Sequence, residues 1–231
     1  MNEMNYISPK AKIGDNCIIF PFVSILDGTR MGSHNKVHQG SVIGALPQDF
    51  NFRGEKSECI IGDNNIIREN VVINRATHRG GQTIIGNDNV LMEGAHISHD
   101  TKVGNACVFG YGTKIAGDCQ IDDGVIFSSS VIENAKTHVG VGAMIQAGTT
   151  FSKDVPPYII CTKRSEYGGV NYTMGRTYGV DEKTLKRTSP TPTASSSTAR
   201  PPSSTLPTRL SSRCPTVRRY APSSSSCATP R

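Results

Sequence analysis

The sequence predicts an all-β protein, a triangular parallel β-helix, and three observations carry that prediction. Apolar residues recur at a spacing of six over most of positions 7–151. The residue two places before each of these anchors is usually small. An aliphatic residue followed by glycine recurs 18 positions apart.

The first run of anchors is Ile7, Ile13, Ile19, Ile25, Met31, Val37 and Ile43. An α-helix cannot use it: six residues at ~100° each turn by ~600°, so the apolar positions would walk around the cylinder. A flat strand would place an apolar residue at every second position along its whole length. Short strands separated by corners satisfy the pattern. Small residues such as Ala11, Cys17, Val23, Thr29 and Ser41 share the inward face with the anchors that follow them, and the residue between points outward. The glycine pairs Gly14 and Gly32, Gly44 and Gly62, and Gly86 and Gly104 set three six-residue sides per turn. Glycine is expected there because corners need a permissive backbone.

Positions 45–60, containing "ALPQDFNFRGEKSEC", interrupt the period and predict a loop. The series resumes in phase at Ile61, Ile67 and Ile73, and breaks again over 74–84 at "NRATHRGGQT". Loops leaving a regular solenoid are where binding groups are commonly mounted. The last run goes from Ile85 to Phe151 and fails only at Glu133. Residues 1–160 are therefore predicted to form the prism, and 161–186 a post-prism segment in which "GVDEKTLK" starts like a helix. Residues 187–231 hold 12 Ser, 8 Thr and 8 Pro without apolar periodicity, which predicts a disordered low-complexity tail and a short or missing C-terminal helical region. Cutting the chain after Lys186 is expected to leave the thermal midpoint nearly unchanged, since such a tail buries too little apolar surface to offset its ordering entropy.

The net charge of +6 comes from that tail, where seven Arg meet no acidic residue. Positions 1–186 carry 18 basic and 19 acidic residues, so a nucleic-acid partner is not expected. No stretch approaches the ~18 apolar residues of a transmembrane helix, and the first residues lack a secretory pattern; a cytoplasmic location is expected. Seven cysteines without C-x-x-C spacing predict neither a disulfide scaffold nor a zinc module.

The stretch "EGAHISHDTKVGN" (93–105) places two histidines three apart. In the six-residue frame Ala95 and Ile97 point inward, so His96 points outward from a flat side. Ser98, His99 and Asp100 then form the corner that follows. No third ligand stands at a recognisable spacing, and no metal site is predicted. By pattern alone, such an exposed pair is more often surface than functional.

Other stretches point further. "IGALPQDFNFRGE", "IGDNNIIREN", "LMEGAHISHD", "IAGDCQIDD", "SKDVPPYII" and "GGVN" occur in this order. Together they resemble the hexapeptide-repeat family of acyl-carrier-protein-dependent UDP-N-acetylglucosamine O-acyltransferases, over roughly residues 7–178. The resemblance implies a left-handed β-helix, a homotrimer with sites between neighbouring prisms, and no cofactor. It implies the first step of lipid A biosynthesis: transfer of a 3-hydroxyacyl chain from acyl carrier protein to the sugar 3-hydroxyl. His99 matches the general base, Asp100 could orient its ring, and Gly117 matches the glycine whose N–H stabilises the thioester oxyanion. Gln48, Asp49, His96, Asn171 and Arg176 match substrate-contacting positions. The chain departs from the family at Asn51, Asp118, Asn134 and Ala135, where the family carries a lysine, a histidine and an "HQ" pair. Two other readings stay open on these grounds: an acyltransferase of the same fold acting on a different nucleotide sugar, and a prism that has lost catalysis.

Overall fold

The computed structural model describes residues 4–162 and 166–188. By contacts the chain divides into residues 1–195 and 196–231; the second unit, and the predicted tail from residue 189 on, lie outside the described residues. The described chain is a left-handed parallel β-helix with three faces. The first face stacks eight strands from Tyr6–Ile7 to Thr150–Phe151, and the second stacks seven from Lys12–Ile13 to His138–Val139. The third carries nine, the last two, Ile159–Thr162 and Glu166–Val170, pairing antiparallel.

Successive coils keep register across both interruptions: Ile73 aligns with Ile43 on one side and Ile97 on the other. The excursions are narrower than the broken period suggests. Pairing runs to Ala45 and resumes at Glu58, and it runs to Asn74 and resumes at Gln82. From Ile25 to Phe151 the anchors are buried, and Phe109 and Phe127 stack inside at 5.1 Å between ring centroids. Ile7, Ile13 and Ile19 stay half-buried because the first coil has a neighbour on one side only.

Of the periodic glycines, Gly44 turns with φ 74° as their spacing suggested, and the other five serve a different purpose. Gly14, Gly32, Gly62, Gly86 and Gly104 are not among the residues with positive φ. They are small because coils stack closely: a Cβ at Gly86 would lie 2.4 Å from Gly104 O, and one at Gly62 2.7 Å from Gly86 O. The left-handed turn falls two residues later, on Asn16, His34, Asn64, Asp88 and Ala106, with φ between 54° and 60°. Asn and Asp tolerate that conformation better than other side chains do.

At the corner joining the second and third faces, Asn35, Asn65 and Asn89 are fully buried. Each side-chain oxygen accepts the backbone N–H of the next coil, from Asn65, Asn89 and Cys107 at 2.8–2.9 Å. The amide of Asn65 donates to Asn35 Oδ1 and Gly86 O, each at 3.0 Å. Asn65→Ala is expected to cost about 2–3 kcal/mol, because buried partners on both neighbouring coils lose their hydrogen bonds. Chemical denaturation monitored by circular dichroism checks this.

Beyond the prism, α1 (Tyr172–Thr177) and α2 (Glu182–Thr188) pack together, with Leu185 fully buried. The C-terminal helical region is therefore short but present, and it continues two residues past the predicted limit of 186. Among the described residues, no helix is long and apolar enough to cross a membrane.

Candidate active site

His99 and Asp100 occupy the corner between the first-face strand His96–Ile97 and the second-face strand Lys102–Val103. Asp100 turns this corner with φ 59°, and its N–H donates to Thr83 Oγ1 on the preceding coil at 2.9 Å. Its side chain is 7% exposed. Oδ2 accepts from the Thr77 hydroxyl at 2.7 Å and the Thr77 N–H at 3.0 Å, and lies 2.9 Å from His99 Nδ1. Burial alone would raise the pKa of Asp100, but these hydrogen bonds and the nearby His78 outweigh it and hold the carboxyl below its ordinary value.

An ionised carboxylate only accepts, so the hydrogen between the two groups belongs to His99 Nδ1, and in the neutral ring Nε2 carries the lone pair. Nε2 faces Asp49 Oδ2 at 3.7 Å, too far for a hydrogen bond. The His99 side chain is 14% exposed. It is an oriented imidazole whose accepting nitrogen points to the first loop.

Gly117, on the next coil, lies against that ring. A Cβ there would be 2.3 Å from His99 Cε1 and 2.5 Å from Nε2, so glycine is required for the imidazole to lie where it does. The Gly117 N–H donates to no backbone carbonyl among the described residues. His96 points outward from the first face, half-buried, in register between Val72 and Lys114. Its pKa is lowered, by burial first and then by the charge of Lys114 and by His99.

The first loop supplies Asp49, whose Oδ1 accepts the Asn51 N–H at 2.7 Å, and Gln48, which is exposed. Arg75 steadies the loop: its guanidinium lies 5.7 Å from the Phe52 ring centroid and donates to Asp27 O at 3.1 Å. Asn171 and Arg176 are elsewhere. Asn171 caps α1 through the Met174 N–H, and its amide donates to Gly142 O on the corner between the second and third faces. Arg176 is exposed in the last turn of α1. Within one chain neither residue is brought to His99.

Of the departures from the family pattern, Asp118 turns the coil beside Asp100 with φ 60°, and its N–H donates to His99 O at 3.0 Å. Asn51, Asn134 and Ala135 are exposed. No pattern in the sequence singles out Thr77, His78 or Thr83, the residues set around Asp100. Thr77 and His78 lie in an excursion without a period, which offers no rule for where a side chain points. Among the described residues, no group of three or more His, Cys, Asp or Glu side chains is gathered as metal ligands would be.

Residues 10–45 and 82–117 match the family model for bacterial transferase hexapeptide (six repeats). An acyl-[acyl-carrier-protein]–UDP-N-acetylglucosamine O-acyltransferase of Nautilia profundicola is 36% identical over 145 residues, 62% of this chain and 56% of that protein. The protein of the same name in Syntrophobacter fumaroxidans is 34% identical over 199 residues, 78% of this chain and 67% of that one. The match thus spans little more than half the length of the first of these relatives. Among solved structures, a UDP-N-acetylglucosamine acyltransferase from Bacteroides fragilis superposes with a TM-score of 0.74 at 44% identity, covering 80% of each chain. One from Francisella novicida gives 0.73 at 32% identity, covering 80% of this chain and 76% of that one. With one relative 34% identical and matched over 67% of its length, and a solved structure 44% identical and matched over 80%, the chain belongs to the hexapeptide-repeat family of UDP-N-acetylglucosamine O-acyltransferases.

Proposed function

We propose that the protein transfers a 3-hydroxyacyl chain from acyl carrier protein to the 3-hydroxyl of UDP-N-acetylglucosamine, the first step of lipid A biosynthesis. The observation that carries this reading is the His99–Asp100 pair packed against Gly117. His99 Nε2 takes the proton of the attacking hydroxyl, and Asp100 stabilises the imidazolium that forms. The thioester carbonyl becomes a tetrahedral oxyanion that receives the Gly117 N–H. Collapse forms the ester and breaks the carbon–sulfur bond, and the imidazolium returns its proton to the departing thiolate. No metal or redox cofactor enters these steps.

Asp49 and His96 lie near the base, Gln48 precedes Asp49 in the first loop, and all three are proposed to contact the sugar nucleotide. Asn171 and Arg176 would contribute from a neighbouring copy, because they sit on another edge of the prism. The third face supports a homotrimer. Its outward row runs Ile18, Lys36, Ile66, Val90, Val108, Ile126, Met144 and Ile160, with a single charge, and cyclic closure covers such a face without open-ended association. Sedimentation at micromolar concentration is expected to give a trimer; monomer alone would contradict an intersubunit site. The proposed location is the cytoplasm, where acyl carrier protein and sugar nucleotide meet.

The test is incubation of the purified full chain with acyl carrier proteins of several chain lengths and UDP-N-acetylglucosamine, with the acylated sugar read by mass spectrometry. Asn51 and Asp118, which replace family residues beside the site, favour a second arm with other nucleotide sugars. Product from another sugar alone would move the proposal to that substrate.

A further inference from the structure

The Asp100 carboxylate serves more than His99. Its other oxygen, Oδ1, lies 3.0 Å from His78 Nδ1, although the two are not aligned as a hydrogen bond in this arrangement. The second loop is shaped to bring His78 there. Thr77 binds Oδ2 through both its N–H and its hydroxyl, which fixes the residue before His78 on the carboxylate. Gly81 N–H closes the turn onto His78 O at 2.9 Å, and Gly80 N–H ties it to Lys56 O at 2.8 Å. A Cβ at Gly81 would lie 2.6–2.8 Å from three atoms of the His78 ring, so the ring occupies space that only glycine leaves. His78 and Asp100 both line a cavity of about 340 Å³ that includes Lys102 and Asp118. One buried carboxylate thus stands between two imidazoles, one nearly enclosed and one 70% exposed.

We propose that His78 is a positioning residue for the acyl transfer, acting on His99 through the carboxylate they share. This rests on the reading of His99 as the base. Asp100 assists that base by stabilising the positive charge the imidazole gains with the substrate proton. A proton on His78 places a second positive charge at the same carboxylate and cancels part of that assistance. A neutral His78 leaves the carboxylate to His99. The other charged or titratable groups around the pair are Lys102 and Asp118 on the second-face side, Asp49 on the first loop, Lys56 and Arg79 on the loop edges, and His96 on the first face. None of them comes between His78 and Asp100.

The experiment compares wild type with His78→Gln, which keeps a polar side chain without charge, and His78→Lys, which keeps the charge permanently. The acid limb of the kcat/KM profile is expected to move in opposite directions. His78→Gln moves its midpoint to higher pH, because protonated His99 is no longer opposed. His78→Lys moves it to lower pH. Each shift is about half a pH unit for a charge partly screened by water. A purely structural role would lower both plateaus without separating the midpoints.

The same shifts are read without substrate from the His99 Cε1–H resonance, assigned by its loss in His99→Gln. This keeps the coupling testable if the proposed substrates give no product. Midpoints for the two variants within about 0.2 pH unit of each other, in both readouts, would overturn the proposal. Separated resonances in a protein that makes no product would uphold the coupling and overturn only the assigned reaction.

Discussion

Replacing His99 by Ala is expected to abolish most turnover and leave the prism intact. The side chain stands on a corner outside the apolar interior, and its contacts are to Asp100, Asp49 and the open Cα of Gly117. Losing them should cost about 1–2 kcal/mol, because the buried Asp100 carboxylate gives up one hydrogen bond and keeps the two from Thr77. Removing a general base typically costs a factor of ~100 to 10,000, or roughly 3–5 kcal/mol of barrier. His96→Ala is expected to behave differently, raising KM with a smaller effect on kcat, since His96 is proposed to touch substrate without moving a proton. Measuring both constants for each variant separates these roles. If His99→Ala keeps more than about a tenth of wild-type turnover where chemistry limits the rate, His99 is not the base.

Glu133 governs the second large effect, and it concerns stability. It takes an anchor position on the first face, in register between Ile115 and Phe151, and is fully buried. One carboxyl oxygen accepts the Thr137 hydroxyl at 2.7 Å, while the other has no hydrogen-bond partner. The ionisable groups nearest in effect are the Cys119 thiol and Asp154. Burial pushes the Glu133 carboxyl up to about 8, with the Asp154 charge adding to the rise.

The folded chain therefore holds a proton that an unfolded glutamate gives up above pH ~4.3. Stability is fully present below that pH. It is lost as pH rises towards 8, at up to ~1.4 kcal/mol per unit, and levels off beyond. From pH 6 to pH 8 the thermal midpoint is expected to fall by roughly 5–10 °C through this group, at ~2–4 °C per kcal/mol for a domain of this size. Glu133→Gln keeps the shape and removes the ionisation, so its midpoint should stay nearly flat over that window and exceed wild type at pH 8. Parallel slopes for the two proteins would contradict a proton on buried Glu133.

How much of this was legible beforehand follows from periodicity. The prism could be read because each coil repeats one inward pattern, and a one-residue slip would expose every anchor from Ile25 to Phe151. The same frame placed His96 on a flat face and His99 on a corner. It assigned the glycine row to permissive corners, but steric crowding between coils favours glycine as well, and the stacking distances at Gly62 and Gly86, with the backbone angles, separate the two causes. The buried asparagines fell in the small-residue slot but could not be recognised as a ladder until their coils were aligned. In the second loop, where no period aims side chains, the Thr77 and His78 contacts to Asp100 became visible only with the chain folded. The roles of Asn171 and Arg176 were assigned by resemblance, and a single chain places them on a different edge from His99.

The most direct test is a crystal structure of the full chain with the proposed product, UDP-3-O-(3-hydroxyacyl)-N-acetylglucosamine. The 3-oxygen is expected within about 3.5 Å of His99 Nε2, the ester carbonyl turned towards the Gly117 N–H, and Asn171 and Arg176 of a neighbouring copy facing the nucleotide. Product bound with its ester away from the His99–Gly117 corner would contradict the assignment of that corner as the place where the acyl chain is transferred.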